Sequence, residues 1–181
     1  MILIVNMNNN PLALYEFVLP IASIVKRHGK YDIKHYSEIQ PEKLGMYSGI
    51  ILSGTTLKED KYLGDIKKFE WIKEFDKPVL GICAGMQVIS LVFGSKLSKC
   101  KEIGMVDIRT VKDNPLFSSS FESYTLHNYA IDPSDKLDVL AKSANCVEAV
   151  KVKDKNAYGV LFHPEVRNKE IIERFCSGKP E

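Results

Sequence analysis

Four short apolar stretches in the first 82 residues, at 2–5, 31–36, 49–52 and 78–82, decide most of what this chain can fold into. Residues 2–5 (Ile-Leu-Ile-Val) and 49–52 (Gly-Ile-Ile-Leu) lack the polar alternation of a strand with one wet face, so they read as strands buried on both sides. Residues 31–36 alternate and read as a second strand, and 78–82 as a fourth. Between the first two, Leu14, Phe17, Val18, Ile21, Ile24 and Val25 recur at helical spacing. Pro20 predicts a kink or a broken start there, and Gly29 suits the helix end. Residues 65–75 and 84–93 carry further helical patterns, the second stopped at Gly94. Strands alternating with helices predict an α/β fold, a doubly wound, mostly parallel sheet with helices on both faces.

After residue 94 the pattern changes. Strand-like pieces at 96–111, 123–131, 137–141, 147–152 and 157–162 are separated by turn residues such as Asp113-Asn114-Pro115 and Asp132-Pro133, and a helix is expected over 167–176. They predict a small, mostly antiparallel extension of the sheet after the core helix. With no internal repeat, low-complexity tract or linker, residues 1–181 read as one domain.

A formal charge of +2, from 25 basic and 23 acidic residues, gives no nucleic-acid footprint. No apolar stretch approaches the roughly 18 residues of a membrane span. The N-terminus has neither a basic leader nor a cleavage site, so a reducing cytoplasm is the expected compartment. Cys83, Cys100, Cys146 and Cys176 have no C-x-x-C spacing, and no metal-ligand pattern is visible in the sequence. Cys100, Cys146 and Cys176 therefore read as inert thiols.

Cys83 is different. Gly81-Ile82-Cys83-Ala84-Gly85 lies between a strand and a helix, the context of a nucleophile elbow with cysteine in place of serine. The turn leaves no room for side chains at the flanking positions, which explains the two glycines. It raises the sulfur at the C-terminal edge of the sheet, where open α/β folds bind ligands. The helix N-terminus beneath favours a thiolate, and its free N–H groups, first that of Ala84, suit a developing oxyanion. A thiol nucleophile needs a base, and the base an orienting group. Phe162-His163-Pro164-Glu165, after the strand ending near Leu161, supplies both. His28 and His35 read as surface residues. His127, in Leu126-His127-Asn128-Tyr129-Ala130, is the other candidate for the site.

The elbow Gly81-Ile82-Cys83-Ala84-Gly85-Met86-Gln87 and the distant Phe162-His163-Pro164-Glu165-Val166, in this order and spacing, resemble the class I (triad-type) glutamine amidotransferases over nearly the whole chain. The resemblance implies a flavodoxin-like fold and hydrolysis of L-glutamine to glutamate and ammonia, with Cys83 as nucleophile, His163 as general acid/base and Glu165 as its orienter. It implies an oxyanion hole from the Ala84 N–H and an N–H of the Gly54–Thr55 turn. Gln87, His127, Asn128 and Tyr129 are implied as substrate-side residues, the last three through their strand backbone.

Ser53-Gly54-Thr55-Thr56 departs from the family's usual Ser-Gly-Gly-Pro. Thr55 resists positive φ, so the hole is expected to need a partner to complete it. Leu126 departs too, since a polar residue often precedes the His. Within the family, Phe162-His163-Pro164-Glu165-Val166 and Tyr158-Gly159-Val160 resemble the glutaminase of GMP synthase, whereas Met86 resembles that of imidazole glycerol phosphate synthase. The first implies an ammonia-accepting partner, the ATP-pyrophosphatase subunit of GMP synthase. ATP and Mg would then belong to that partner and no cofactor to this chain. A non-catalytic regulatory module and a γ-glutamyl hydrolase are the remaining alternatives.

Overall fold

The computed structural model describes residues 1–178. Its strands are β1 (Ile2–Asn6), β2 (Tyr31–His35), β3 (Gly49–Leu52), β4 (Val79–Ile82), β5 (Lys96–Thr110), β6 (Phe121–Asp132), β7 (Leu137–Lys142), β8 (Val147–Val152) and β9 (Ala157–Val160). The helices are α1 (Ala13–Phe17), α2 (Leu19–Val25), α3 (Lys61–Gly64), α4 (Ala84–Val92) and α5 (Glu170–Cys176). The sheet order is β2-β1-β3-β4-β9-β8-β7-β5-β6. The first five strands in this order are parallel, and β9, last in sequence and expected in the antiparallel extension, instead closes that half beside β4, its fully buried run matching a strand covered on both faces. The antiparallel remainder begins at the β8–β9 pair and ends in the long β5–β6 hairpin, joined to β7 only through Arg109 and Thr110.

The two-sided burial read from the apolar runs takes a definite form. Leu3, Val5, Ile50 and Leu52 face one core, with Phe69, Trp71, Ile72, Met86 and Ile89. Ile4, Ile51, Leu80 and Ile82 face the other, with Val18, Ile21, Val25, Ile171 and Phe175. This is the period-2 alternation of a strand with both faces covered. One face is capped by α4 and the 3-10 segment before β4, the other by α2 packed on α5.

Pro20 acts as its position predicts. The helical segment breaks at Val18, and Pro20 sits in the first turn of α2, where its missing N–H costs nothing. The helix expected over 65–75 is instead 3-10 over Ile66–Lys73. There Phe69 and Trp71–Ile72 bury against α4, and packing, not helical type, satisfies the apolar pattern. The stop at Gly94 has φ +88°, a left-handed conformation that glycine adopts without a Cβ penalty.

Candidate active site

β1, β3, β4 and β9 are neighbours in the sheet, and each is followed at its C-terminal end by a site segment. Asn8 follows β1, Ser53–Thr56 follow β3, Cys83 follows β4 and His163 follows β9. Residues from 8 to 165 thus converge on one edge.

Cys83 has φ +49° and ψ −103°, a region that side-chain-bearing residues rarely occupy and that costs on the order of 1–3 kcal/mol. Its N–H bonds the Val160 carbonyl at 2.8 Å, which ties the elbow to the strand that delivers the histidine. The flanking glycines are sterically required. A Cβ on Gly81 would lie 2.4 Å from the Gly85 backbone, and one on Gly85 would lie 2.5 Å from the Leu52 carbonyl. The thiol donates to the Leu126 carbonyl at 3.6 Å.

His163 is buried, and its Nδ1 pairs with Glu165 Oε1 at 2.7 Å. Its Nε2 is buried without a protein hydrogen-bond partner. Burial disfavours the imidazolium, but the Glu165 carboxylate and the neighbouring Cys83 outweigh it and hold His163 well above its ordinary value. The ring is packed by Phe17, at a centroid distance of 5.6 Å, and by Gly54, where a Cβ would come within 2.6 Å of Cε1. Pro164 keeps Glu165 folded back on the ring of its own chain segment.

Gly54 and Thr55 lie beside these groups. Asn8 Nδ2 at 3.0 Å and Ser53 Oγ at 3.0 Å both donate to the Gly54 carbonyl. Because a trans peptide points C=O and the next N–H in opposite directions, these bonds set the direction of the Thr55 N–H. Thr55 is not among the residues with positive φ. Among the described residues, the N–H groups of Gly54, Thr55 and Ala84 have no hydrogen-bond acceptor.

Thr55, Cys83, Gln87, Asn128 and Tyr129 line a narrow cleft with about 310 Å³ of empty space, part of it open to solvent. Gln87 is already engaged there: its amide donates to the Tyr129 carbonyl at 2.8 Å and accepts from Tyr62 at 2.5 Å. Asn128 reaches across to the Leu57 carbonyl at 2.9 Å.

His127 borders the cleft, but its imidazole is used elsewhere. Nδ1 bonds the Cys100 carbonyl at 2.9 Å, and Nε2 stands 3.5 Å from Glu102 Oε2. Burial holds it below its ordinary value, so it is neutral at neutral pH. Glu102, Cys146 and Glu148 surround the same point. Burial and the neighbouring Glu102 push Glu148 up to about 8, and burial also pushes the Cys146 thiol up. Ligand spacing does not reveal this cluster, because its members come from β5, β6, the β7–β8 turn and β8. Of the histidines read as surface residues, His28 is exposed and His35 half-buried, its ring capping a 3-10 turn.

Several residues at the site carry no motif. Tyr62 on α3 is buried over Gln87, and burial next to Cys83 raises its phenol. Glu59 Oε1 accepts from the Asn9 and Asn10 N–H groups at 2.9 and 2.6 Å, tying the loop after β3 to the one after β1. The run Asn8-Asn9-Asn10, just after a strand at the ligand-binding edge, could have drawn attention to the first of these loops, but nothing local marks Glu59 or Tyr62.

An elbow-borne thiol beside a carboxylate-paired imidazole, at the C-terminal edge of a doubly wound sheet, defines an α/β enzyme of the nucleophile-elbow kind. The chain belongs to the class-I glutamine amidotransferases, whose family description matches residues 20–176. It is 33% identical to the GMP synthase [glutamine-hydrolyzing] of Ruminiclostridium cellulolyticum, over 93% of this chain and 36% of that protein. It therefore spans about a third of that relative's length. It is 37% identical to the glutamine-hydrolyzing GMP synthase subunit of Methanosphaera stadtmanae, over 70% of this chain and 72% of the relative. Among solved structures, a Thermoplasma acidophilum protein proposed to be a GMP synthase subunit superposes with a TM-score of 0.85 at 25% identity, over 98% and 93% of the two chains. Among the described residues no helix is long and apolar enough to cross a membrane.

Proposed function

We propose that this chain hydrolyses L-glutamine and delivers the ammonia to a partner synthase that makes GMP from XMP. The observation that carries the reading is the imidazole of His163, with Nδ1 held by Glu165 at 2.7 Å and a buried Nε2 left without a partner next to Cys83. Relatives named as GMP synthase and as its glutamine-hydrolyzing subunit support the choice of acceptor.

The steps follow from those groups. His163 Nε2 takes the Cys83 thiol proton, and the sulfur attacks the side-chain amide carbon of glutamine. The tetrahedral oxyanion faces the Ala84 N–H and an N–H of the Gly54–Thr55 turn, each such donor being worth about 3 kcal/mol at the transition state. Nε2–H then protonates the departing nitrogen, and ammonia leaves behind a γ-glutamyl thioester. Water, deprotonated by the same nitrogen, attacks the thioester and releases glutamate and the thiol. Glu165 holds the ring in one tautomer and stabilises the imidazolium formed twice in the cycle. Gln87 and the strand backbone at His127, Asn128 and Tyr129 are the substrate-side groups. ATP and Mg belong to the partner, the ATP-pyrophosphatase subunit, where XMP is activated.

The test is glutamine-dependent ammonia release by the chain mixed with that partner subunit, XMP and ATP–Mg. Cys83→Ala should abolish it while leaving synthesis from added ammonium intact. Undiminished glutamine-dependent release by Cys83→Ala would refute the nucleophile assignment.

A further inference from the structure

We propose that Glu102, His127, Cys146 and Glu148 form a structural binding site for a divalent metal of zinc's class. One ligand atom from each of the four residues lies within 4.8 Å of every other. Three of the edges are short, two of them as hydrogen bonds from the Cys146 thiol. Glu102 Oε2 is 3.5 Å from His127 Nε2, Cys146 Sγ is 3.4 Å from Glu102 Oε2, and Cys146 Sγ is 3.4 Å from Glu148 Oε1. Metal–ligand lengths of about 2.0–2.3 Å put neighbouring ligand atoms of a tetrahedron roughly 3.3–3.8 Å apart. Those edges already have the spacing a tetrahedral ion would impose.

The histidine supplies independent support. Its Nδ1 is used by the Cys100 carbonyl, which leaves the Nε2 lone pair directed at the cluster. That nitrogen is buried and has no hydrogen-bond partner. A ring whose other nitrogen is fixed by a carbonyl is the usual arrangement of a metal-ligating histidine. Glu148 is fully buried, and its Oε2 is also without a partner.

Charge points the same way. Two buried carboxyls face each other, and among the described residues no Lys or Arg forms an ion pair with either. Asn145 Nδ2 donates to Glu102 Oε1 at 2.6 Å and orients that carboxylate, and a dication would take the place of the proton that Glu148 otherwise holds. The donor set of imidazole, thiolate and two carboxylates suits zinc better than calcium or magnesium, which favour oxygen alone. Binding releases the Cys146 thiol proton. The half-exposed Cys146, at a surface turn, provides the way in.

Such an ion would join three elements. Glu102 and His127 are direct cross-strand partners, next to an irregularity between Lys99 and Glu102 that breaks the β5–β6 register. Cys146, in the β7–β8 turn, and Glu148, in β8, bring in the third, β8.

The experiment uses the full chain carrying Cys83→Ala, so that the elbow thiol cannot compete. After chelator treatment it is titrated with Zn²⁺ against a chromophoric chelator and, separately, with Co²⁺. One equivalent should bind. The cobalt form should show a thiolate-to-metal charge-transfer band in the near ultraviolet and the strong visible bands of four-coordinate cobalt. Cys146→Ser should remove the charge-transfer band, and Glu148→Gln should weaken zinc binding at least tenfold. Substoichiometric binding, or the same band in Cys146→Ser, would overturn the site. If Cys146→Ser is unfolded by circular dichroism, Glu148→Gln decides, and unchanged zinc affinity there also overturns it.

Discussion

At the scale of single residues, the catalytic candidates were legible because each stands in a short pattern with a steric or chemical reason. Gly81 and Gly85 announce the elbow, and one proline separates His163 from Glu165. Asn8, Glu59 and Tyr62 were not legible, because their partners lie 25 to 50 residues away and only the fold brings them together. Two predictions belong here. Asn8→Ala removes a neutral hydrogen bond to the Gly54 carbonyl, a net effect of about 1 kcal/mol. Turnover should fall about 5- to 10-fold with little change in KM, because that peptide sets the Thr55 N–H, which in the proposed mechanism acts in the transition state. Steady-state kinetics check this, and a rise in KM with kcat unchanged would assign Asn8 to substrate binding. Glu165→Gln should lower turnover by about 10²–10⁴-fold. It should also lower the His163 titration midpoint, measured by NMR, because Glu165 is the largest influence raising it. The sign for stability follows from the raised value. The wild-type advantage should be full below about 6.5, the ordinary histidine value, and fade as pH rises through the folded one. Thermal melts of wild type and Glu165→Gln at several pH values measure it, and an advantage that grew with pH would contradict the pairing.

At the scale of elements, the parallel half was readable because strands buried on both faces show as continuous apolar runs, and Pro20 and Gly94 punctuate the helices where physical rules place them. The 3-10 character of Ile66–Lys73 was not readable, since Phe69, Trp71 and Ile72 satisfy a helical period and a 3-10 face equally well over so short a span. The order of the antiparallel strands was hidden too. The β5–β6 hairpin reaches the sheet through two residues of β7, a contact with no local signature. The junction of β4 and α4 offers a direct test of how tightly elements constrain the site. A Cβ at position 81 would meet backbone at 2.4 Å, and backbone cannot rotate away as a side chain can. Gly81→Ala should therefore destabilise the chain by about 1–3 kcal/mol or more. It should also displace the Cys83 sulfur, so that turnover drops even at temperatures where the variant is fully folded. Gly64→Ala, with open space at its Cβ position, is the matched control. Equal melting temperatures for Gly81→Ala and Gly64→Ala would show that the elbow tolerates movement.

At the scale of the whole molecule, the site is assembled from segments with unequal support. Cys83 and His163 rise from neighbouring strands inside the sheet, tied by the Cys83–Val160 bond. The Gly54–Thr55 turn begins a loop without regular structure until α3, held by side-chain bonds to two other segments: to the loop after β1, with Asn8 on Gly54 and Glu59 under Asn9 and Asn10, and to β6, with Asn128 on Leu57. In the proposed mechanism the loop of the oxyanion hole is thus held to the rest of the chain by side chains, and the thiol–imidazole pair by the sheet. A partner that docks over this edge can change the loop without disturbing the triad. Activation should then appear in kcat for glutamine hydrolysis and not in the reactivity of Cys83 alone. The isolated chain should release ammonia slowly, and the ATP-pyrophosphatase subunit with XMP and ATP–Mg should raise kcat at least tenfold. Labelling of Cys83 by a glutamine-derived chloroketone, which needs no oxyanion stabilisation at an amide carbon, should change much less. Asn128→Ala, which frees the loop at Leu57, should raise the unactivated rate relative to the activated one and narrow the ratio between them. If labelling and hydrolysis rose together by the same factor, the gate would lie in access to the cleft and not in the oxyanion loop. If Asn128→Ala left the ratio untouched, the loop anchored at Leu57 would not be the element that the partner moves.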